Sequence, residues 1–416
     1  MPSTLTQVNT EGYKVERTQE SIRELLLQEL ELKIDLSIEG VSFDAADLRK
    51  FGIGTQYLEQ QHVGMNRILD SDILLPHGFY LPHGLFFTFR WDPRSPYKLR
   101  EESGKAVLFK GQKRVAEVEF FERTPLVDYK LTTGQTFSQI ATLFTEGSFS
   151  VCYSVECSLK EKGEDCLFCN INTTAGLKHR EVFIKTPQQV GEAYVLARSA
   201  GFAGHLNLTG GFVPERREVE YYLDVADEIK ERTGQSEIVG TAVIGAPLDL
   251  KVIDKYKEAG YSSVAIDIEI WDKNIFKAIC PGKEKRNGGW QHWVDAIVYA
   301  AEVFGKGNVR SNIVGGLEPK ESTLEGIEFL AFKGAVCFAS IWQPNVGSAL
   351  EGHRTPETAW HFDLAKKIAT IHKQYGFTTR DLFNTVNRAG PVHDAFRIFG
   401  GENTGDKLPR WRFPQL

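Results

Sequence analysis

The chain has 416 residues and a mass of 46.8 kDa, with 42% hydrophobic and 25% charged residues. These values suit one large folded unit with a smaller one and exclude a disordered or fibrous chain. A formal net charge of −6 and a pI near 6.0 give no general basic field for a nucleic-acid backbone. No stretch reaches the roughly 18 consecutive apolar residues of a membrane span, and the opening MPSTLTQVNTEGYKVERTQES lacks a secretory apolar core. The expected location is therefore the cytoplasm, with neither membrane nor nucleic acid as a partner.

In chain order, residues 21–33 (SIRELLLQELELK) read as an amphipathic helix with Leu25, Leu26, Leu30 and Leu32 near one stripe. Residues 79–91 and 115–121 are aromatic and partly alternating, the pattern of strands. Residues 1–145 are thus expected to form an α+β domain, whose role the sequence leaves open: a cap, a partner site or a dimer interface. His77, His83, Phe86, Phe87, Phe89 and Trp91 could line a substrate cover, though aromatic residues at strand spacing are more often core.

Past residue 145, short β-branched runs alternate with helical stretches, the signature of a parallel sheet built from βα units. The strands read at 148–155, 205–208, 238–244, 263–270, 308–314 and 335–342, and the helices at 188–200, 217–233, 248–259, 291–304, 322–332 and 356–375. Six units are too few for the eight-stranded closed barrel, and no GxGxxG opens them. The expected fold class is α/β, a partial or closed parallel (β/α) barrel over residues 146–378, with residues 379–416 closing or capping it. In that tail His393, Arg397, Arg410, Trp411 and Arg412 could close the barrel bottom or reach a substrate. Chemistry in such folds sits beyond the carboxyl ends of the strands.

Four of the six cysteines, Cys152, Cys157, Cys166 and Cys169, fall within 18 residues, and a reducing compartment makes a metal a better explanation than disulfides. Four thiolates could hold a structural zinc. Cys152, however, lies inside the strand SFSVCYSV and reads as a buried strand cysteine, whereas Cys157 stands just past its end. Cys157, Cys166 and Cys169 are then left to converge in one loop, with Cys152 a fallback. Three thiolates leave one iron of a 4Fe–4S cluster open for a chelating small molecule.

The region from about 148 to 375 resembles the radical S-adenosylmethionine (SAM) superfamily. Its C-x-Φ-C ending is matched by Cys166-Leu167-Phe168-Cys169, although eight residues separate Cys157 from Cys166 where C-x3-C is usual. Thr209-Gly210-Gly211 is similar to the Gly-Gly-Glu motif whose backbone receives the SAM amino group; Phe212 stands where the acid would be, and Glu215 follows. The run from Asp267 through Glu269 to Cys280-Pro281-Gly282 resembles the branch of biotin synthase, the FeFe-hydrogenase maturase and methylornithine synthase. The resemblance places Glu269 on SAM, with Asp267 as second candidate on the same face. Of Lys283, Lys285 and Arg286 it favours Arg286 for the SAM carboxylate, against a solvated basic loop. Asn312, Val314 and Gly315 match the stretch that seats the adenine, with Glu318 a local structural acid, and Trp342-Gln343 opens a similar loop after the sixth strand.

The resemblance implies an enzyme that uses a 4Fe–4S cluster and SAM, works anaerobically, and takes an electron from a donor such as flavodoxin or ferredoxin. Reductive cleavage would give a 5′-deoxyadenosyl radical that abstracts hydrogen from a small-molecule substrate, in a rearrangement, a cleavage or a biosynthetic step. A radical SAM methylase or protein-modifying enzyme, and a non-enzymatic iron–sulfur or zinc protein, are the alternatives. Cys152, Cys280 and Cys337 are too few and too scattered for an ordinary four-cysteine second cluster, so sulfur insertion is disfavoured. Cys280 could be functional or a packed thiol. No catalytic side chain is singled out, and the oligomeric state stays open.

Overall fold

The computed structural model describes residues 6–8, 14–16, 19–50, 77–121, 124–144, 147–171, 182, 184–202, 205–345, 347–384 and 390–400. A short antiparallel pair, β1 (Thr6–Val8) and β2 (Lys14–Glu16), precedes helix α1 (Gln19–Glu39). Leu26, Leu30 and Ile34, spaced four apart, are fully buried, so one stripe of α1 faces the core. Next come β3 (Ser42–Phe43), α2 (Ala45–Lys50), β4 (Gly78–Tyr80), β5 (Phe86–Thr88), β6 (Tyr97–Glu102), β7 (Lys105–Lys110) and β8 (Lys113–Phe120). They make a sheet in the order β3-β6-β7-β8-β4-β5, with β3 parallel to β6 and the other neighbours antiparallel. Phe79, Phe87 and Phe89 are buried in its core, and His77 stacks on Phe86, so these aromatics serve packing.

The second sheet begins after α3 (Phe137–Ile140) with β9 (Thr142–Leu143), which runs antiparallel to β10 (Phe149–Cys152). From β10 the chain alternates α4 (Ser158–Glu161), α5 (Pro187–Ser199), β11 (Leu206–Thr209), α6 (Glu215–Thr233), β12 (Ile238–Val243), α7 (Val252–Glu258) and β13 (Tyr261–Ala265). It continues through α8 (Lys273–Ile279), α9 (Pro281–Arg286), α10 (Gly289–Phe304), β14 (Val309–Gly315), α11 (Lys320–Phe332), β15 (Val336–Ile341) and α12 (Thr358–Gln374). Strands β10 to β15 pair parallel in sequence order, with β9 and β15 as the edges, so the sheet is a partial barrel.

Its strands carry two kinds of residue. Leu206, Leu208, Val264 and Ile313 are fully buried apolar residues, as expected where helices cover a parallel sheet. On the opposite face the register aligns Ser150 with Asn207, Asn207 with Thr241, Thr241 with Ser263 and Ala265 with Arg310, which makes the lumen polar. At its lower end His205 meets Thr241, and Ser263 Oγ donates to Asn384 O at 2.9 Å.

Asn384 follows α13 (Thr379–Phe383), and in the following α14 (Pro391–Ile398) the ring of His393 stacks on Phe338 at 4.3 Å. Residues 379–384 and 390–400 therefore pack beneath the barrel, whereas Arg410, Trp411 and Arg412 lie outside the described residues. Helix α1 joins them: Lys33 Nζ lies 2.6 Å from Asp394 Oδ2 in a buried ion pair, and Gln343 Nε2 donates to Ser37 O at 2.6 Å. One core runs through both sheets. None of the described helices is long and apolar enough to cross a membrane.

Candidate functional site

The cysteine loop leaves β10 at Cys152, which is buried, with Sγ 3.5 Å from Ser154 O. Cys157 precedes α4, a single helical turn that is followed by Gly163 in the left-handed region, φ +68°. The chain then reaches Cys166-Leu167-Phe168-Cys169, a tight turn in which Cys169 N donates to Cys166 O at 2.9 Å. The eight residues between Cys157 and Cys166 are thus an inserted turn of helix. Three main-chain bonds moor the loop: Ser158 N to Phe212 O (2.7 Å), Leu167 N to Ile279 O (2.9 Å) and Leu350 N to Leu167 O (3.2 Å). Phe168 packs half-buried against the core.

Burial pushes the Cys169 thiol up to about 12, helped by the neighbouring Cys166 and Cys157. The Cys166 thiol is raised first by its hydrogen bond to Cys280 and then by burial. Such thiols are protonated when no metal is bound, so metal binding must expel their protons. Among the described residues no three His, Cys, Asp or Glu side chains close on one metal ion. Cys157 and Cys166 both lie near enough to raise the Cys169 thiol, a gathering of three thiols that fits a cluster of several irons.

Gly210 and Gly211 lie against this loop. Gly211 N donates to Ser154 O at 2.8 Å, and a Cβ on Gly211 would overlap Glu156 O. A Cβ on Gly210 would stand 2.6 Å from the Tyr153 ring. Gly211 is therefore required by the approach of two backbones, and Gly210 by the Tyr153 ring, whatever else the pair binds. Thr209 pairs in register with Cys152 and its carbonyl accepts from Tyr153 N at 2.7 Å. Glu215 accepts from Leu248 N at 2.7 Å and so holds the loop after β12.

The expected strand over 263–270 ends at Ala265, and four residues on Glu269 adopts a left-handed backbone, φ +70°. That conformation costs a non-glycine residue about 1–3 kcal/mol and is retained chiefly where surroundings enforce it. Here Glu269 N donates to Asn312 O and Glu269 O accepts from Val314 N, both at 2.8 Å. Simple alternation of Asp267 and Glu269 on one face does not hold. Glu269 Oε1 lies 3.1 Å from Lys283 Nζ, whereas Asp267 Oδ2 lies 3.4 Å from Arg310 Nη2 and leaves Oδ1 buried without a partner. Burial raises the Glu269 carboxyl; it works against the Lys283 ammonium too, but Glu269 and the nearby thiols outweigh it and raise Lys283.

Lys283 also donates to Asp267 O at 2.8 Å and stands 4.0 Å from the centre of the Trp293 ring. Arg286, the expected basic residue, is instead exposed on α9 and paired with Glu164 of the cysteine loop. Lys283 lies in the first turn of α9 and is buried beside Glu269, whereas Arg286 is the last residue of that helix and stands exposed beside Glu164.

Arg310 crosses the lumen from β14 to Asn207 on β11, Nη1 to Oδ1 at 3.4 Å. Arg310 and Asn207, polar residues inside otherwise apolar strands, are the sequence signal for this polar lumen. Asn312 Nδ2 donates to Ser340 Oγ at 3.1 Å, and Gly315 O accepts from Trp342 N at 3.0 Å, so Asn312, Val314, Gly315 and Trp342 share the rim of β14 and β15. Trp342 is buried and its Nε1 has no partner, whereas Gln343 is spent on α1. Glu318 accepts from Trp271 N (2.9 Å), Asp272 N (2.7 Å) and Thr323 Oγ1 (3.0 Å), the bonds of a structural acid.

A partial parallel barrel whose carboxyl end carries a three-cysteine loop beside a buried acid–base pair defines an enzyme that works at its barrel mouth. Residues 154–330 match the model of the Radical SAM superfamily, whose members use a 4Fe–4S cluster and SAM. The chain is 28% identical over 261 residues to the bacteriochlorophyllide c C-7(1)-hydroxylase of Chlorobaculum limnaeum, covering 59% of this chain and 65% of that protein. The chain thus spans just under two thirds of that relative's length. Among solved structures, methylornithine synthase (PylB) aligns at 18% identity and TM-score 0.39, covering 61% of this chain and 72% of that one. The FeFe-hydrogenase maturase HydG from Carboxydothermus hydrogenoformans aligns at 14% identity and TM-score 0.41, covering 57% of each chain.

Proposed function

We propose that this enzyme reductively cleaves SAM at a 4Fe–4S cluster held by Cys157, Cys166 and Cys169, and abstracts hydrogen from a small molecule in the barrel lumen. The supporting observation is the meeting of those thiols with the buried Glu269–Lys283 pair at the end of β13. When bound, cluster and SAM supply a 5′-deoxyadenosyl radical on receipt of one electron from a donor such as flavodoxin or ferredoxin.

The chain's own residues do the rest. Three thiolates leave one iron open for the SAM amino and carboxylate groups. The main chain at Thr209, Gly210 and Gly211 admits the amino end, and Glu269, held by Lys283, accepts hydrogen bonds from SAM. Phe168, Asn312, Val314, Gly315 and Trp342 frame the adenosyl part. Lys283 takes the basic role in place of Arg286.

Deeper in, Asn207, Arg310 and Asp267 form a polar floor, and the open Asp267 Oδ1 receives a donor group of the substrate. Below it, His205, Thr241, Ser263 and the segment beneath the barrel exclude water. Hydroxylation, the activity named for the Chlorobaculum limnaeum relative, replaces a C–H bond, and functionalisation of such a bond is the reaction class assigned here.

The test is anaerobic reconstitution with iron and sulfide, dithionite reduction, and assay of 5′-deoxyadenosine from SAM in wild type and Cys157→Ala. Product in wild type and none in the variant is expected. A zinc-loaded, colourless protein without affinity for SAM would overturn the proposal.

A further inference from the structure

Helices α8 and α9 are packed along the cysteine loop. Ile279 O, at the end of α8, accepts from Leu167 N at 2.9 Å, and a Cβ on Gly282 of α9 would overlap Glu164 O and press on the Leu159 side chain of α4. These elements present positive charge to solvent although the whole chain carries −6. Lys162, Lys273, Lys277, Lys285 and Arg286 are exposed, and over residues 157–169 and 271–288 Glu161 is the sole acid exposed with them.

The other acids of these segments are committed to neighbours. Glu164 accepts from Arg286 Nη2 at 3.1 Å and lies 3.8 Å from Lys285 Nζ, so two cations share one carboxylate. Asp165 lies 4.0 Å from Lys160. Asp272 Oδ1 accepts from Asn274 N (2.9 Å) and Ile275 N (3.0 Å) as the N-cap of α8, and Glu284 accepts from Trp290 N at 3.2 Å. Among the described residues no carboxylate pairs with Lys162, Lys273 or Lys277; Lys273 instead stands 4.4 Å from the centre of the Trp290 ring. Lys273 and Lys277 are four apart on α8 and so share one of its sides.

We propose that this basic border of the cysteine loop is the docking surface for a small acidic electron-carrier protein, which passes one electron to the cluster through the loop. The inference rests on the cluster assignment above. With SAM and substrate on the lumen side of the loop, the donor is left the side that α4, α8 and α9 border. Complementary charge suits a carrier that must arrive fast and leave again, because it supplies on-rate more than affinity. In the step the carrier is oxidised by one electron and the cluster is reduced by one; no covalent bond forms or breaks, and no proton moves.

The experiment is anaerobic stopped-flow reduction of the cluster in reconstituted wild type and in the triple variant Lys162→Glu, Lys273→Glu and Lys277→Glu. The donors are reduced flavodoxin and reduced ferredoxin, each used separately as an acidic carrier, and photoreduced 5-deazariboflavin as a small uncharged one. At low ionic strength the variant is expected to be reduced about tenfold more slowly by the carrier that serves wild type better, and at the wild-type rate by 5-deazariboflavin. The difference should shrink to within about twofold at about 0.5 M salt, where exposed charges are screened. Replacing the same three lysines by glutamine should give an intermediate rate, and keeps the comparison should the glutamates disturb folding.

Rates within about twofold of wild type with both carriers overturn the inference, as does an equal loss with 5-deazariboflavin, which would place the effect on the cluster itself. Failure of both carriers to reduce a wild-type cluster that 5-deazariboflavin reduces also overturns it. So does a triple variant that loses binding to phosphatidylglycerol vesicles while reduction by the carriers is unchanged, since the lysines would then face an anionic lipid surface. A wild type that assembles no cluster would instead sink the function proposed above.

Discussion

The Lys283 ammonium lies 3.1 Å from Glu269 Oε1 and 4.0 Å from the centre of the Trp293 ring, with most of both charged side chains withdrawn from water. Burying two charges is costly, and removing one partner strands the other, at about 3–5 kcal/mol. Lys283→Met is therefore expected to destabilise the cluster-free protein by about that much in urea denaturation, and Lys283→Met with Glu269→Gln to recover most of the loss. Equal stability of the single and double variants would show that the pair is not coupled.

Gly211→Ala tests what the Gly-Gly turn is for. A Cβ there meets the carbonyl oxygen of Glu156, and main chain cannot swing aside as a side chain can. The variant should lose about 2–4 kcal/mol and fail to retain iron, because the loop holding Cys157 would be displaced. A variant with wild-type melting and full iron content would mean that the loop yields freely.

Much of this arrangement was legible in the sequence because it depends on local order. The alternation of strands and helices gives six parallel strands, and Cys157, Cys166 and Cys169 stand beyond the strand that contains Cys152. What escaped reading depends on backbone geometry or distant packing. β13 ends early at Ala265, Glu269 turns left-handed, and Asp267 and Glu269 meet different cations, which no alternating pattern conveys. Lys283 sits in the first turn of α9, within reach of Glu269, and Arg286 at its end, beside Glu164, a placement that the spacing of basic residues does not convey. The docking of α1 on α14 through Lys33 and Asp394 spans almost the whole chain.

The four clustered cysteines should divide in iron retention. Cys152 is buried in β10 with its Sγ 3.5 Å from Ser154 O, so Cys152→Ala should keep its iron and its 5′-deoxyadenosine formation. Cys166→Ala should lose both. Iron analysis after gel filtration checks this, and loss of iron from Cys152→Ala would return it to the ligand set.

Glu218 makes stability depend on pH. Burial raises its carboxyl from 4.5 to about 8, against hydrogen bonds from Gly245 N and Tyr256. A group whose folded pKa exceeds its unfolded value contributes fully below the latter and loses that contribution as pH rises through the former. Wild type should therefore weaken between pH 4.5 and about 8. Glu218→Gln, which cannot ionise, should be the more stable protein at pH 9 by ~3 kcal/mol, measured by urea midpoints at pH 5 and pH 9. Glu29, raised by burial to about 7, keeps part of the slope in both. A variant with the same slope as wild type would remove Glu218 as its source.

The Lys33–Asp394 pair decides whether the first helix and the last described one act as a single closure. Its 2.6 Å contact is nearly inaccessible to solvent, and α1 reaches β15's following loop through Gln343 and Ser37. Lys33→Met should cost about 3–5 kcal/mol, because Asp394 would keep a buried charge, while Lys33→Met with Asp394→Leu should return close to wild type. If α1 belongs to the barrel's closure, loss of the pair should also speed hydrogen exchange at α14 and at the amides around Asn384, which Ser263 ties to the barrel floor. Destabilisation with exchange unchanged at α14 would separate the first helix from the closure and leave the segment beneath the barrel standing without it.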